Sequence, residues 1–360
     1  MTERILDISD RPAHLSVRNS LLVIRFGRDA PVERLQETAH RAVSTGEGAV
    51  APVSSPAPGD EDTAAPEARG GEGVPYRHRG QPKEETHTLP LTDIAALIVS
   101  HPQVSYTHAV LSGLAAAGAT FIACDEKHLP AAMLLPLVSH STQTERFAAQ
   151  AQLSLPTRKR IWQEIVRAKL LSQARLLEER TGRDWGLGPL ASRVRSGDAG
   201  NLESQAARIY WRALFGDFRR DPEGEGVNSC LNYGYAVVRA IVARALCGAG
   251  LHPSFGVHHH NRYDAFCLAD DLMEPFRPLA DHVVACLRDE HGPEVALDQE
   301  SKRAILEGVL ARYMAEGELR TMFDWASRAA SSLAPVIEGR EDKLHIPLLI
   351  RTQETSANAG

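Results

Sequence analysis

The chain of 360 residues contains no apolar run near the roughly 20 residues that a membrane-spanning helix requires. Its first four residues mix acidic and basic side chains without an apolar core, so they do not resemble a secretion signal. The five cysteines are scattered and form no Cys-x-x-Cys pair, which argues against a cysteine zinc site and favours reduced thiols. We therefore expect a cytoplasmic protein with no membrane partner.

The composition is that of a globular protein, with 43% apolar and 24% charged residues. The length is sufficient for about two domains. A net charge of −6 does not by itself suggest a nucleic-acid partner. Acidic residues are concentrated between 29 and 86, however, and the rest of the chain is close to neutral. A near-neutral body can carry a basic face, so the net charge does not exclude DNA binding.

The first part of the chain reads as β-rich. Alternating or continuous apolar residues predict strands at 5–8, 14–17, 21–26, 87–91, 95–99 and 120–124, with one alanine-rich helix at 105–117. Residues 45–82 are rich in glycine, proline, alanine, serine and acids, which predicts a disordered insertion. We therefore predict an N-terminal domain at 1–135, followed by a linker at 136–156.

The second part reads as helical. Apolar residues at helical spacing predict helices at 158–180, 200–215, 228–247, 264–287, 299–314 and 322–333, with Thr157 as the first N-cap. The predicted catalytic domain spans 157–340 and a tail spans 341–360. The predicted fold class is α+β, in which a small β-rich domain precedes a larger all-helical one.

Candidate chemistry lies in a cluster of histidines and acids. Residues 258–260 are three consecutive histidines, of which at most two can point at one ion. Asp271 and Glu274 share one helix face, and so do Asp270 and Glu274, so spacing does not choose between the two aspartates. One histidine with two or three carboxylates, Glu203 included, is typical of a hard-metal site that acts on phosphate esters.

Each element also has a plain structural reading. An acidic pair on a helix is usually a solvated face, and a single histidine is usually a packing residue. Glu203 opens a helix that either Asn201 or Asp198 is placed to cap, where its charge stabilises the helix dipole.

Together, however, three segments resemble one family, the CRISPR-associated integrases. The segments are Gly-Asn-Leu-Glu at 200–203, Gly-Val-His-His at 256–259, and Leu-Ala-Asp-Asp-Leu-Met-Glu-Pro-Phe-Arg-Pro at 268–278. The resemblance implies that Glu203, His259 and Glu274 bind Mg²⁺ or Mn²⁺ and that Asp271 is an accessory acid. His259 stands three positions after the family's glycine, and His258 is its rival.

The resemblance also implies a fold and an activity. The fold is a β-sandwich-like domain followed by a helical catalytic domain. The activity is metal-dependent insertion of short captured DNA into a CRISPR repeat array by attack of a 3′-hydroxyl, which serves antiviral defence. Implied partners are double-stranded DNA, a second copy of the chain and a small ferredoxin-like subunit. The 268–278 segment is most similar to type II members, which adds the RNA-guided effector nuclease.

Basic residues beside these segments are candidates for phosphate contacts or for ordinary surface charge. They are Arg158, Lys159, Arg160, Arg193 and Arg195, with Arg167 and Lys169 further along the first helix. We expect Arg277 to brace the site or pair with an acid. The competing functions are a metal-dependent nuclease that hydrolyses branched or repair DNA, and a DNA-binding scaffold without catalysis.

Overall fold

The computed structural model describes residues 4–9, 11–27, 85–125, 130–135 and 140–351. The insertion predicted at 45–82 lies outside the described residues, and so does the end of the predicted tail, 352–360. Within the described residues, every helix is too short or too polar to cross a membrane.

The described residues of the N-terminal part form eight strands and one α-helix. The strands are β1 (Arg4–Ile8), β2 (Ala13–Arg18), β3 (Leu21–Phe26), β4 (Thr86–Pro90), β5 (Ile94–Val99), β6 (Val104–Tyr106), β7 (Thr120–Cys124) and β8 (Pro130–Leu134), and the helix is α1 (His108–Ala116). One sheet has the order β1-β5-β7-β8, in which only β8 is antiparallel to its neighbour. The other sheet has the order β4-β3-β2-β6.

The two sheets share one apolar core. Leu15 and Leu22 of the second sheet cluster there with Leu97 of the first and with Leu114 of α1, and all four are fully buried. Strands with apolar residues on one face bury that face against the opposite sheet. This arrangement is the sandwich-like domain that the sequence predicts.

Nine helices form the second part. They are α2 (Gln143–Ala151), α3 (Leu155–Thr181), α4 (Leu187–Arg193), α5 (Leu202–Phe215), α6 (Val227–Gly248), α7 (Cys267–Met273), α8 (Arg277–His291), α9 (Gln299–Val309) and α10 (Met322–Ile337). Helix α6 is apolar on nearly every side and buried on nearly every side. Helices α7, α8, α9 and α10 pack against α6, and α3 packs against α4, α5, α7 and α8. With the N-terminal sheets, this gives the predicted α+β fold class.

Several predicted boundaries differ from the structure. The predicted linker contains α2. Helix α3 begins at Leu155 rather than 158, because the Ser154 hydroxyl, and not Thr157, caps it by accepting from the Thr157 N–H at 3.3 Å. The helix predicted at 264–287 is broken into α7, a 3₁₀ turn (Glu274–Phe276) and α8. Pro275 and Pro278 lack the N–H groups that a continuous helix would use there.

The second part is also not entirely helical. The segment predicted as the end of a helix at 299–314 instead enters a strand, β9 (Arg312–Ala315), which pairs with β10 (Glu318–Thr321) and β11 (Ile350–Arg351). Glu316 and Gly317 turn this hairpin with φ of 53° and 78°. Two consecutive positive φ values are typical of the tight turns that join antiparallel strands.

Candidate functional site

Glu203 stands in the first turn of α5. The Asp198 carboxylate accepts hydrogen bonds from the N–H groups of Leu202 and Glu203, both at 2.9 Å. Asp198 is therefore the capping residue, whereas the Asn201 side chain makes no capping bond. Capping fixes the start of α5 and thereby the position of the Glu203 side chain.

The histidine turn is held by one carboxylate. Asp271 is fully buried and accepts from the backbone N–H groups of Val257, His258 and His259 at 2.6, 3.0 and 3.1 Å. The same carboxylate lies 2.7 Å from Nδ1 of His259. Because Asp271 is buried and occupied by these groups, its observed role is to shape the turn and orient the His259 ring.

Gly256 permits this turn. A Cβ atom at position 256 would lie 2.3 Å from the carbonyl oxygen of His259 and 2.8 Å from Cβ of Cys267. Both distances are far inside van der Waals contact, so a side chain would push the turn away from α7. The glycine is required by packing.

The neighbouring histidines have different surroundings. The ring of His258 stacks on Trp162 with centroids 4.0 Å apart and planes 2° apart. His260 lies 3.1 Å from the guanidinium of Arg158. His259 uses Nδ1 toward Asp271, which leaves Nε2 for a ligand, as is usual for metal-binding histidines. This geometry favours His259 over its rival His258.

Glu274 comes from the 3₁₀ turn after α7 and is 97% buried by surface area, with 3% exposed. Its Oε1 lies 3.2 Å from the Arg277 guanidinium, the bracing contact expected of that arginine. Its Oε2 lies 2.5 Å from Nζ of Lys169, although without hydrogen-bond geometry.

Lys169, in the middle of α3, joins the two glutamates. Its ammonium donates to Oε1 of Glu203 at 2.6 Å while it contacts Glu274. The lysine side chain is only 12% exposed and the Glu203 side chain 25% exposed. Two carboxylates from separate helical segments therefore face one point, and a cation occupies it.

The site's pKa shifts follow from these contacts. Burial tends to raise the pKa of Glu274, but the charges of Arg277 and Lys169 outweigh burial and lower it. Burial tends to lower the pKa of Lys169, and the two glutamates outweigh burial and raise it. The hydrogen bond to Asp271 raises the pKa of His259, whereas burial lowers that of His258. The shifts of Glu274 and Lys169 both favour the charged forms of this pair.

Asp270, the other candidate acid, points elsewhere. Its carboxylate receives two hydrogen bonds from Arg239, at 2.6 and 3.0 Å. Burial raises its pKa to about 6, with Arg239 opposing the shift. Of the two aspartates, Asp271 contacts the histidine turn and Asp270 contacts Arg239, so the geometry favours Asp271 as the acid of the site.

The side chains of the site can be compared with the usual ligands of a hard divalent cation. No group of three or more histidine, cysteine, aspartate or glutamate side chains is arranged as a ready-made metal cluster in the described parts of the chain. The residues still fit the ion, because carboxylates and an imidazole are its usual ligands and the two glutamates already face one cation, the Lys169 ammonium.

Three of the predicted phosphate-binding residues lie around the turn at Gly197. Lys159 packs against the Gly197 turn that precedes Glu203, where its Cγ lies 3.0 Å from the place of a Cβ. Arg193 and Arg195 flank the same turn and are exposed. Arg160 pairs with Asp342 at 3.3 Å, so it is less available than the others.

The roles of two residues of the site were not predicted. Lys169 is among the candidates for phosphate contacts or surface charge, and its position between the two glutamates became evident only from packing. Trp162 is 2% exposed and lies in the core, as expected of an aromatic residue, but its ring also stacks on the ring of His258. Lys169 lies four and three positions after Ile165 and Val166, so it shares their buried face of α3. Its helical spacing from these two apolar residues was the signal in the sequence that could have located it.

Comparison with known proteins identifies the family of the chain. A family model described as CRISPR associated protein Cas1 matches residues 77–307. The CRISPR-associated endonuclease Cas1 of Neisseria meningitidis serogroup C (strain 8013) is 45% identical over 213 residues, which cover 58% of this chain and 70% of that protein.

Solved structures show the same fold at low sequence identity. A casposase bound to an integration product superposes with a TM-score of 0.68 at 17% identity, covering 96% of this chain and 92% of that one. A Cas6-RT-Cas1–Cas2 complex gives 0.64 at 14% identity, covering 95% of this chain and 35% of that one. With the family model matching more than half of the sequence, the chain belongs to the Cas1 family of CRISPR-associated endonucleases.

Proposed function

We propose that this protein is a metal-dependent integrase that joins short captured DNA to a CRISPR repeat by transesterification. The observation that carries the proposal is the convergence of Glu203 and Glu274 on one cation position. The ring of His259, which Asp271 orients, is near enough to Glu274 that the charge of each shifts the pKa of the other. A site that gathers carboxylates around a cation suits attack at a phosphate group, whose developing negative charge needs a positive counterpart.

Glu203, His259 and Glu274 would hold Mg²⁺ or Mn²⁺, which supplies Lewis-acid stabilisation of the phosphate and of the departing oxygen. Asp271 orients His259 so that Nε2 is the free ring nitrogen. Arg277 fixes the buried Glu274 from the opposite side. The imidazole in the set favours Mn²⁺ as well as Mg²⁺, so we expect activity with Mn²⁺ at least equal to that with Mg²⁺.

The reaction balances without a further reactant. The 3′-oxygen of the captured DNA forms a bond to a repeat phosphorus, and the bond from that phosphorus to its own 3′-oxygen breaks. The attacking hydroxyl loses a proton and the departing oxygen gains one. One phosphodiester replaces another, so no energy-rich cofactor and no covalent enzyme intermediate are required.

The partners follow from the reaction and the relatives. Arg158, Lys159, Arg193 and Arg195 surround the Gly197 turn and the histidine turn, where they would contact DNA phosphates. A casposase of this fold is described bound to an integration product, and another relative is described in a complex with Cas2. A homodimer with a small ferredoxin-like subunit is proposed on that basis. The type II assignment, the effector partner, the domain limits and the cytoplasmic location stay predictions.

The decisive experiment is strand joining. Purified protein and its small partner subunit are incubated with Mn²⁺, labelled short duplexes with 3′-hydroxyl ends and a supercoiled plasmid that carries the repeat. We expect covalent transfer of label to the plasmid. Glu203→Ala and His259→Ala should abolish it, whereas His258→Ala should retain it, because the His258 ring is committed to Trp162.

Other outcomes have definite meanings. Cleavage without joining would replace the proposal with a hydrolytic nuclease, which uses the same residues with water as the nucleophile. Joining that persists in excess chelator would refute metal dependence. Binding without any reaction would leave a scaffold.

A further inference from the structure

The ammonium of Lys169 lies where the proposed reaction requires a metal ion. Its ammonium lies within 2.6 Å of Glu203 and 2.5 Å of Glu274, the two carboxylates that would hold a divalent cation. A metal ion bound by both oxygens would occupy nearly the same place. Lysine and metal cannot share it, because like charges at such distances in a buried site repel strongly.

The surroundings make the lysine the group that moves. Glu274 is held from the other side by Arg277 and is 3% exposed, so the carboxylate stays in place. Lys169 carries its charge on a flexible four-carbon stem, which can swing the ammonium without disturbing the backbone of α3. An ammonium released from its carboxylates still needs an anion, and the anion that the reaction brings to this site is a DNA phosphate.

We propose that Lys169 occupies the cation position of the site and couples metal binding to DNA binding: a divalent cation displaces its ammonium, and a DNA phosphate receives it. The inference rests on the proposed function for the identity of the anion. Without DNA, the lysine competes with the metal and keeps the two glutamates converged. With DNA, the competition weakens, so each ligand tightens the binding of the other.

The test measures Mn²⁺ affinity by electron paramagnetic resonance, with and without a dideoxy-terminated duplex that cannot react. In Lys169→Met, Mn²⁺ should bind about tenfold tighter than in the wild type without DNA, because the competing charge is gone. The duplex should tighten Mn²⁺ binding more in the wild type than in Lys169→Met. Lys169→Arg keeps the charge and should keep the weak binding.

Lys302→Met is the matched control. Lys302 is likewise buried, with 6% exposed, but it lies on α9 and removing it should leave both the Mn²⁺ affinity and the effect of DNA unchanged. Melting temperatures in chelator and in Mn²⁺ provide a second readout. Lys169→Met should melt lower than the wild type in chelator and regain stability in Mn²⁺, because the metal replaces the missing positive charge.

Mn²⁺ binding in Lys169→Met that is equal to or weaker than in the wild type would refute the competition. An equal effect of DNA in the two proteins would refute the coupling. Strand joining does not enter either measurement, so a failure of the proposed reaction is seen separately. If Lys169→Met does not fold in chelator, the neutral variant Lys169→Gln takes its place in both measurements, with the same expected and contradicting results.

Discussion

Replacing Asp271 by asparagine tests whether this carboxylate holds the histidine turn. Each Asp271 oxygen accepts two N–H groups: Oδ2 those of Val257 and His258, and Oδ1 the backbone and ring nitrogens of His259. In Asp271→Asn one oxygen becomes an NH₂ group that faces two donors. With the NH₂ group in the place of Oδ2, the Val257 and His258 bonds are lost. In the place of Oδ1, the backbone bond of His259 is lost, and the ring bond is kept only if the ring proton moves to Nε2.

The magnitude follows from the loss. Hydrogen bonds to a charged acceptor contribute about 1.5–3 kcal/mol each, so the loss of one or two removes about 1.5–6 kcal/mol at a fully buried site. Opening of the turn would relieve part of this, because water could then reach the unpaired N–H groups. We expect a fall of about 3 kcal/mol in the free energy of unfolding, and metal affinity about 10–100-fold weaker, since His259 loses its orienting partner.

Urea denaturation and amide hydrogen exchange together provide the assay. Exchange of the Val257, His258 and His259 amides should accelerate strongly in Asp271→Asn. Asp270→Asn is the control, since Asp270 bonds Arg239 and no amide of this turn. Unfolding free energy within about 1 kcal/mol of the wild type, with unchanged exchange of the three amides, would show that the turn does not depend on Asp271.

Three further outcomes are expected. Gly256→Ala should lower the melting temperature measurably, because its Cβ would meet the His259 carbonyl at 2.3 Å; an unchanged value would contradict the packing argument. Burial raises the pKa of Asp281 from 3.8 to about 6, so its ionisation disfavours the folded state above that pH and the penalty disappears as pH falls toward 4. Asp281→Asn should therefore remove part of the stability gained between pH 7 and 5, and a wild-type pH profile would exclude this role. Iodoacetamide should modify the exposed Cys286 first, because burial raises the pKa of the other four thiols, Cys124, Cys230, Cys247 and Cys267. Early labelling of one of these four, detected by mass spectrometry, would refute the expectation.

The regular repeat of apolar residues along the sequence was sufficient to predict some of the strands and helices. The strand at 21–26 and the helix at 228–247 were predicted because their apolar residues repeat regularly, and the structure has β3 and α6 there. The hairpin of β9 and β10 was missed although Glu316-Gly317 is a turn signal, because helical spacing before it masked the change. Helix α2 was missed because it is short and mostly polar.

Side-chain contacts between segments far apart in the sequence could not be predicted from local sequence patterns. Lys169 lies 34 positions before Glu203 in the chain and meets it only because α3 packs against α5. The stack of His258 on Trp162 likewise joins separate segments. Their partners depend on the three-dimensional packing of the helices, which no single window of sequence contains. The three segments that carry the family resemblance, in contrast, are each short and continuous.

The ends of β3 and β4 have a consequence for how this protein tolerates added sequence. The N–H of Phe26 donates to the carbonyl of Glu85 at 3.1 Å, so the chain leaves the sheet and returns to it at adjacent points. Once two ends are pinned together, each doubling of the connecting length adds only about 0.6 kcal/mol of closure entropy. We therefore expect sequence added between β3 and β4 to cost the sheet little, and a label or a second protein attached there would lie far along the chain from Glu203, His259 and Glu274.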